Sequence, residues 1–303
     1  MLDVFLTVIL PTFIVAAVGA GLQRWRALDV GALGAVAMYL LSPALVLNGL
    51  LTTDLPVEIS LRVVAAALLT LVLALAASFA LSACVRHPRS LQSGYTLATG
   101  FPNAGNMGIP ISFLAFGDEG LAVAIIIFIV QGTLSWPVGI FIAARGRSRG
   151  LAPLYSALKV PTLYAVPTAL LIRVTGSDLP VAIGRPIEML ADATIPVMLI
   201  VLGFQLSRGL DWQRWRSLIS SSAIRLTASA GIAYIITVLL GLEGIAQQTV
   251  IVVAAMPTAV FTTILATEFD AEPKFVTSAV VMSTFASIGT LTILITLLQS
   301  WQG

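Results

Sequence analysis

The chain has 303 residues, 58% of them hydrophobic and 10% charged, with a formal net charge of +2. An average soluble domain carries about 25% charged residues, so this chain cannot cover a water-exposed surface of its size, and lipid must be the solvent for most of it. The small net charge excludes an electrostatic nucleic-acid surface; one cysteine, Cys84, excludes an intrachain disulfide and, with the single His87, leaves too few ligands for an ordinary zinc site.

Apolar runs lie near 2–22, 30–51, 59–84, 90–116, 119–144, 153–174, 181–206, 216–240, 245–268 and 274–299. A crossing needs about 20 mostly apolar residues, so the expectation is an all-α integral membrane protein of ten transmembrane helices. The first run follows Met1-Leu2-Asp3 with no basic leader and no small-residue cleavage site, and is read as a span rather than a signal peptide. Twelve of the sixteen basic residues fall in the odd-numbered connections, among them Arg24, Arg86, Arg147, Lys159 and Arg214. Positively charged loops stay cytoplasmic, which puts both termini outside and predicts a multi-pass protein of the bacterial inner membrane. His87, between Arg86 and Arg89, reads as a solvated loop residue.

Five spans is an odd number, so two five-span halves would enter the membrane in opposite senses. Ser42-Pro43-Ala44-Leu45 in the second run is answered by Ile195-Pro196-Val197-Met198 in the seventh, and Pro102 in the fourth by Pro257 in the ninth, at offsets of 153 and 155 residues. These prolines divide the chain into a first repeat over 1–144, a short basic cytoplasmic connection over 145–159 and a second repeat over 160–303. Inverted repeats place substrate at mid-membrane between interrupted helices.

The fourth run contains Gly100-Phe101-Pro102-Asn103-Ala104-Gly105-Asn106-Met107-Gly108-Ile109-Pro110. Each proline removes a backbone donor and clashes with the preceding turn, and glycine tolerates unwound backbone, so the helix breaks here. Unwound backbone at membrane depth persists only where protein or a wet cavity satisfies it. The ninth run holds a weaker counterpart, Ala254-Ala255-Met256-Pro257-Thr258-Ala259. Neither 99–110 nor 253–264 contains a charged residue, whereas a cation carrier needs a carboxylate there. Amides, hydroxyls and the amino ends of half-helices suit an organic anion instead. The candidate substrate-binding residues are therefore Pro102, Asn103, Gly105, Asn106, Pro257 and Thr258.

Two charges fall within apolar runs. Asp192, before Pro196, reads either as a coupling residue carrying a proton or as an interfacial residue of a helix that begins later. Arg225 in the eighth run either snorkels or pairs with an acid or the carboxyl end of a half-helix. Gln205 in the seventh reads as an interhelical hydrogen-bonding group. No nucleophile–base pair, paired acids or metal cluster points to an enzyme, and no Gly-rich P-loop motif points to ATP. The reading is a secondary transporter of a small organic anion, a mono- or dicarboxylate. A proton- or sodium-coupled symporter of another amphipathic anion is the alternative, and a channel or membrane enzyme ranks below it. Expected partners are the anion, a coupling ion and membrane lipid, with a homodimer left open and no cofactor.

Asn103-Ala104-Gly105-Asn106-Met107-Gly108-Ile109-Pro110 resembles the N-x-G-N-x-G-x-P element of the auxin efflux carrier family, which includes the PIN exporters. Ala255-Met256-Pro257-Thr258-Ala259 through Glu268, Arg225, and Pro196 with Gly203 are similar to further features of that family. The resemblance implies two inverted five-helix repeats whose fourth and ninth helices cross at Pro102 and Pro257, an elevator-like movement, and Asn106 as a substrate ligand. PIN exporters carry a long loop between their fifth and sixth helices. The connection from Arg145 to Lys159 is short, which makes this a compact member and puts auxin itself in doubt as cargo.

Overall fold

A computed structural model describes residues 1–26, 28–52, 55–144, 161–176, 179–207 and 209–302; the basic connection expected over 145–159 lies outside them. The described residues form helices α1 (Leu2–Arg26), α2 (Gly31–Thr52), α3 (Val57–Cys84), α4 (Arg89–Gly100), α5 (Ala104–Ala144), α6 (Thr162–Thr175), α7 (Val181–Leu206), α8 (Trp215–Leu239), α9 (Gly244–Ala254), α10 (Phe261–Glu268) and α11 (Pro273–Gln299). Among them α1, α2, α3, α5, α7, α8 and α11 are the seven long and apolar enough to cross a membrane. The expected fourth and ninth spans are each interrupted, and the expected sixth is described only over the 14 residues of α6. The backbone of α5 turns at Gly117, with φ 65° and ψ −152°, a conformation open essentially to glycine alone. Its turn falls where the apolar runs 90–116 and 119–144 meet.

Helix ends follow local chemistry. Asp29 caps α2 by accepting from the Gly31 N–H at 2.8 Å. Pro56, Pro88 and Pro180 stand immediately before α3, α4 and α7, where a missing N–H costs nothing. Gly176 closes α6 in the left-handed region.

Packing divides the helices into two groups. In one, α7 lies along α1 and α2, and α2 along α6; in the other, α3, α4, α5, α8, α9, α10 and α11 pack on one another. The α1–α7 seam is close because Gly19 and Gly203 bring backbone against backbone, the small-residue device of helix pairs in lipid. An apolar cluster including Leu45, Val63, Ile125, Leu202 and Val252 joins the two groups; a second, with Leu71, Tyr95, Phe101, Leu265 and Phe275, lies within the larger group alone.

His87 departs from the solvated reading. It is half-buried, with Nδ1 2.9 Å from Ser82 Oγ and Nε2 3.1 Å from Ser217 Oγ, so it ties the end of α3 to the start of α8. Burial, and then the nearby Arg214 charge, lower its pKa from the usual 6.5. A lowered folded pKa means the unfolded chain binds the proton more readily, so stability is full above pH 6.5 and falls as acid protonates the ring. Thermal unfolding of the purified protein should show a loss of Tm on acidification below pH 6.5 that is smaller in His87→Gln; identical pH profiles would refute the linkage.

Candidate functional site

The two interrupted helices meet at their breaks. Phe101 precedes Pro102 and takes φ −106° and ψ 114°, as the proline ring demands of its neighbour, and α4 ends there. Pro257 similarly follows the end of α9. The two extended stretches run antiparallel: Asn103 N–H donates to Pro257 O at 2.8 Å and Ala259 N–H donates to Phe101 O at 2.9 Å. Pro102 therefore faces Thr258 across the crossing, one residue from the pairing with Pro257 that the sequence offset suggests.

All of this backbone is buried, and neighbouring helices supply its partners. Ser283 of α11 accepts from Thr258 N–H at 3.0 Å, and Thr258 Oγ1 donates to Ala98 O at 2.7 Å. Arg225 of α8 is fully buried. Its Nη1 donates to Thr99 O and Gly100 O, both at 3.0 Å, and its Nη2 donates to Ala254 O. One guanidinium thus closes the carboxyl ends of α4 and α9 together. Of the readings open for this residue, pairing with half-helix carboxyl ends is the one the structure shows.

On the other side of the crossing lies a cavity of 500 Å³, bounded by α2, α5, α6, α7 and the stretch leading into α10. Pro102, Asn103, Gly105 and Asn106 line it, whereas Pro257 and Thr258 belong to the crossing behind it. Asn103 is 4% exposed and its Nδ2 has no hydrogen-bond partner. Asn106 is half-buried on the same wall. Gln131 of α5 and Gln205 of α7 add two further amides. Gln205 therefore faces the cavity rather than serving only as an interhelical polar contact. Sequence reading passed over Gln131, although a lone amide after the run Ile125–Val130 was a usable signal. Phe128, Trp136 and Phe261 supply aromatic wall, Phe261 standing 5.3 Å from Phe101 and 5.6 Å from Trp136 between ring centres. No charged residue lines the cavity among the described residues.

Asp192 sits apart from this site. It is exposed on α7 and does not line the cavity.

A family model described as membrane transport protein matches residues 4–295. An uncharacterized transporter of Methanocaldococcus jannaschii is 26% identical over 217 residues, covering 69% of this chain and 67% of its own length. An uncharacterized transporter of Methanothermobacter thermautotrophicus is 28% identical over 200 residues, covering 65% of each chain.

Proposed function

The chain belongs to the membrane transport protein family, that of the auxin efflux carriers, and we propose that it carries a small organic anion across the membrane by alternating access. Its membership makes it a multi-pass membrane transporter and not an enzyme. The observation that carries the anion reading is the buried, unpartnered Asn103 amide donor on the wall of an uncharged cavity, beside the first turn of α5. The amino end of a helix is electropositive even where, as at Ala104, Thr262 and Thr263, its first N–H groups donate to the carbonyls of Pro102, Ala259 and Val260, so α5 and α10 both favour negative charge at the crossing.

In this reading the chain crosses the membrane ten times as two inverted five-helix repeats, with both termini outside the bacterial inner membrane. The group of α1, α2, α6 and α7 is the scaffold, and the group containing the crossing slides past it as an elevator. Support comes from the way the helices pack, each group mainly on itself with the cavity between them. The cavity is bounded by Gly31 and Gly34 at the start of α2, Thr162 at the start of α6 and Gln205 near the end of α7. Those are the helix ends that carry the basic connections, and with those connections in the cytoplasm the cavity lies toward that side. Drive comes from the substrate gradient, the membrane potential or a coupled proton or sodium ion.

Proteoliposomes supplied with labelled carboxylates, with and without pH and sodium gradients, should show saturable uptake of at least one of them. Asn106→Ala should bind that substrate about tenfold more weakly, the loss of one hydrogen bond to a charged group, while eluting as folded protein. Absence of saturable uptake for every carboxylate, or unchanged affinity in the variant, would count against the site.

A further inference from the structure

We propose that a hollow between the carboxyl ends of α8 and α11 binds an organic ammonium group, supplied by an aminophospholipid headgroup or by a free amine. It lies at the end of α8 away from the basic connections and shares no lining residue with the cavity at the crossing. The inference is independent of what that cavity carries.

Three pieces of chain build this hollow of 310 Å³. The last turns of α8 supply Tyr234 and Val238, and Trp301 comes from just beyond α11. Between α8 and α9 the chain reverses at Gly241, whose φ of 62° suits glycine. Gly241 N–H donates to Val238 O at 3.1 Å and Leu242 N–H to Thr237 O at 2.9 Å, so α8 is closed from the next two residues. Leu242 is buried beneath the turn, and Glu243 follows it on the wall of the hollow, with Gln247 from the first turn of α9. Gln247 Nε2 donates to Thr237 Oγ1 at 3.3 Å, which leaves its Oε1 as an acceptor.

Every strong feature of this wall favours a cation. Tyr234 and Trp301 stand 5.7 Å apart between ring centres and tilt by 58°, so their faces meet in a corner, and a cation within about 6 Å of such faces is attracted. Glu243 has no ion pair among the described residues. The carboxyl end of α8 adds its negative pole. Arg62 reaches the same end, donating to Gly241 O at 2.9 Å, but it is already paired with Glu58 at 2.5 Å. One negative charge, that of Glu243, therefore stands uncompensated beside two aromatic faces. Tryptophan and tyrosine are ordinary at membrane interfaces; their convergence with a bare carboxylate over a hollow is what points to a ligand. A metal ion needs more oxygen ligands than one carboxylate provides, and no group of three metal-ligating side chains occurs among the described residues. An ammonium carrying carbon substituents instead uses the ring faces and the carboxylate together. Val238 and Leu239, both exposed, put apolar surface at the lip, where the acyl chains of a lipid would continue.

Choline and its uncharged isostere dimethylbutanol separate charge from shape, and short-chain phosphatidylethanolamine and phosphatidylglycerol do the same for lipid. Each would be titrated against the purified full chain in detergent, with ligand-induced rise in Tm as the readout. At least one of the two ammonium compounds should bind, about tenfold or more tighter than its uncharged or anionic counterpart. Binding of choline assigns the site to a free amine, and binding of phosphatidylethanolamine alone assigns it to lipid; either supports the inference. Glu243→Gln and Trp301→Leu should each weaken that binding by about tenfold. Both side chains are exposed, and Tyr234→Leu replaces either variant that fails to elute as folded protein. No preference for the ammonium compound in either pair overturns the inference. So does a preference that survives undiminished in the folded variants, which would put the ammonium elsewhere on the protein. Carboxylate uptake tests the crossing cavity separately, so neither failure implies the other.

Discussion

Arg225→Met is expected to lower the thermal stability of the purified protein by about 10 °C, the equivalent of losing roughly 3–5 kcal/mol in a domain of this order of size. Methionine fills much of the volume but donates nothing. Thr99 O, Gly100 O and Ala254 O would then be buried at two helix ends without their donor, and each unsatisfied carbonyl costs about 1–3 kcal/mol. Local rearrangement would recover part of that, which is why the sum is not taken in full. Arg225→Lys should recover less than half of the loss. A compact ammonium on a single stem cannot present the flat fork that reaches both helix ends at once. Because the same cation neutralises those ends electrically, Arg225→Met should also weaken binding of any anion the wild type holds. Differential scanning fluorimetry in detergent measures the first effect, and a Tm within about 2 °C of wild type would show that the crossing does not depend on this residue.

Gly203→Val is expected to abolish folded protein, or to leave only a small monodisperse fraction. A Cβ at Gly203 would lie 1.9 Å from Ala16 O and 2.8 Å from both Ala16 C and Ala20 N. These are backbone atoms of α1, so no side chain can swing away, and α1 must move off α7 along the whole seam. Overpacking in a core that can adjust costs about 1–3 kcal/mol; a helix-to-helix backbone clash allows less adjustment and should exceed that range. Gly231→Ala is the matched control. Its Cβ would meet nothing within 4 Å, and in mid-helix the exchange should be neutral or gain up to about 1 kcal/mol. Fluorescence-detected size exclusion of the two variants distinguishes the cases, and a wild-type profile for Gly203→Val would contradict the close α1–α7 approach.

The two variants also mark which parts of the molecule could be read before its structure was known. The breaks at Pro102 and Pro257 were legible because their cause is covalent: a proline lacks a donor wherever the chain goes, and Gly100, Gly105 and Gly108 weaken the helix on both sides of the first break. The turn at Gly117 was legible for a related reason, since polar Asp118 and Glu119 interrupt the apolar run next to a residue free to take positive φ. The one-residue difference in the crossing, Pro102 opposite Thr258, was not legible. An antiparallel register is set by which N–H meets which carbonyl, and the proline spacing carries no information about that.

The candidate site shows the same division. Asn103, Gly105 and Asn106 were placed by their own local pattern, and the cavity does include them. Gln131 and Gln205 stood as isolated amides in long apolar helices, where nothing nearby in sequence says which way a side chain points; the packing of α5 and α7 around the cavity decided it. His87 was read from its charged neighbours in the loop, but the hydroxyl it reaches on α8 lies 130 residues away.

By itself, then, the sequence determined that the chain lives in lipid, that two of its helices break, and that the broken segments carry no charge. Those are consequences of composition and of bonds within a few residues. Only the tertiary structure decided the register in which the breaks cross, that Arg225 closes two helix ends at once, and that Gln131 and Gln205 join Asn103 and Asn106 around one cavity. A guanidinium satisfying carbonyls 125 residues away is a property of helix packing, because in a membrane the partner of a buried polar group is whatever the neighbouring helices bring within reach.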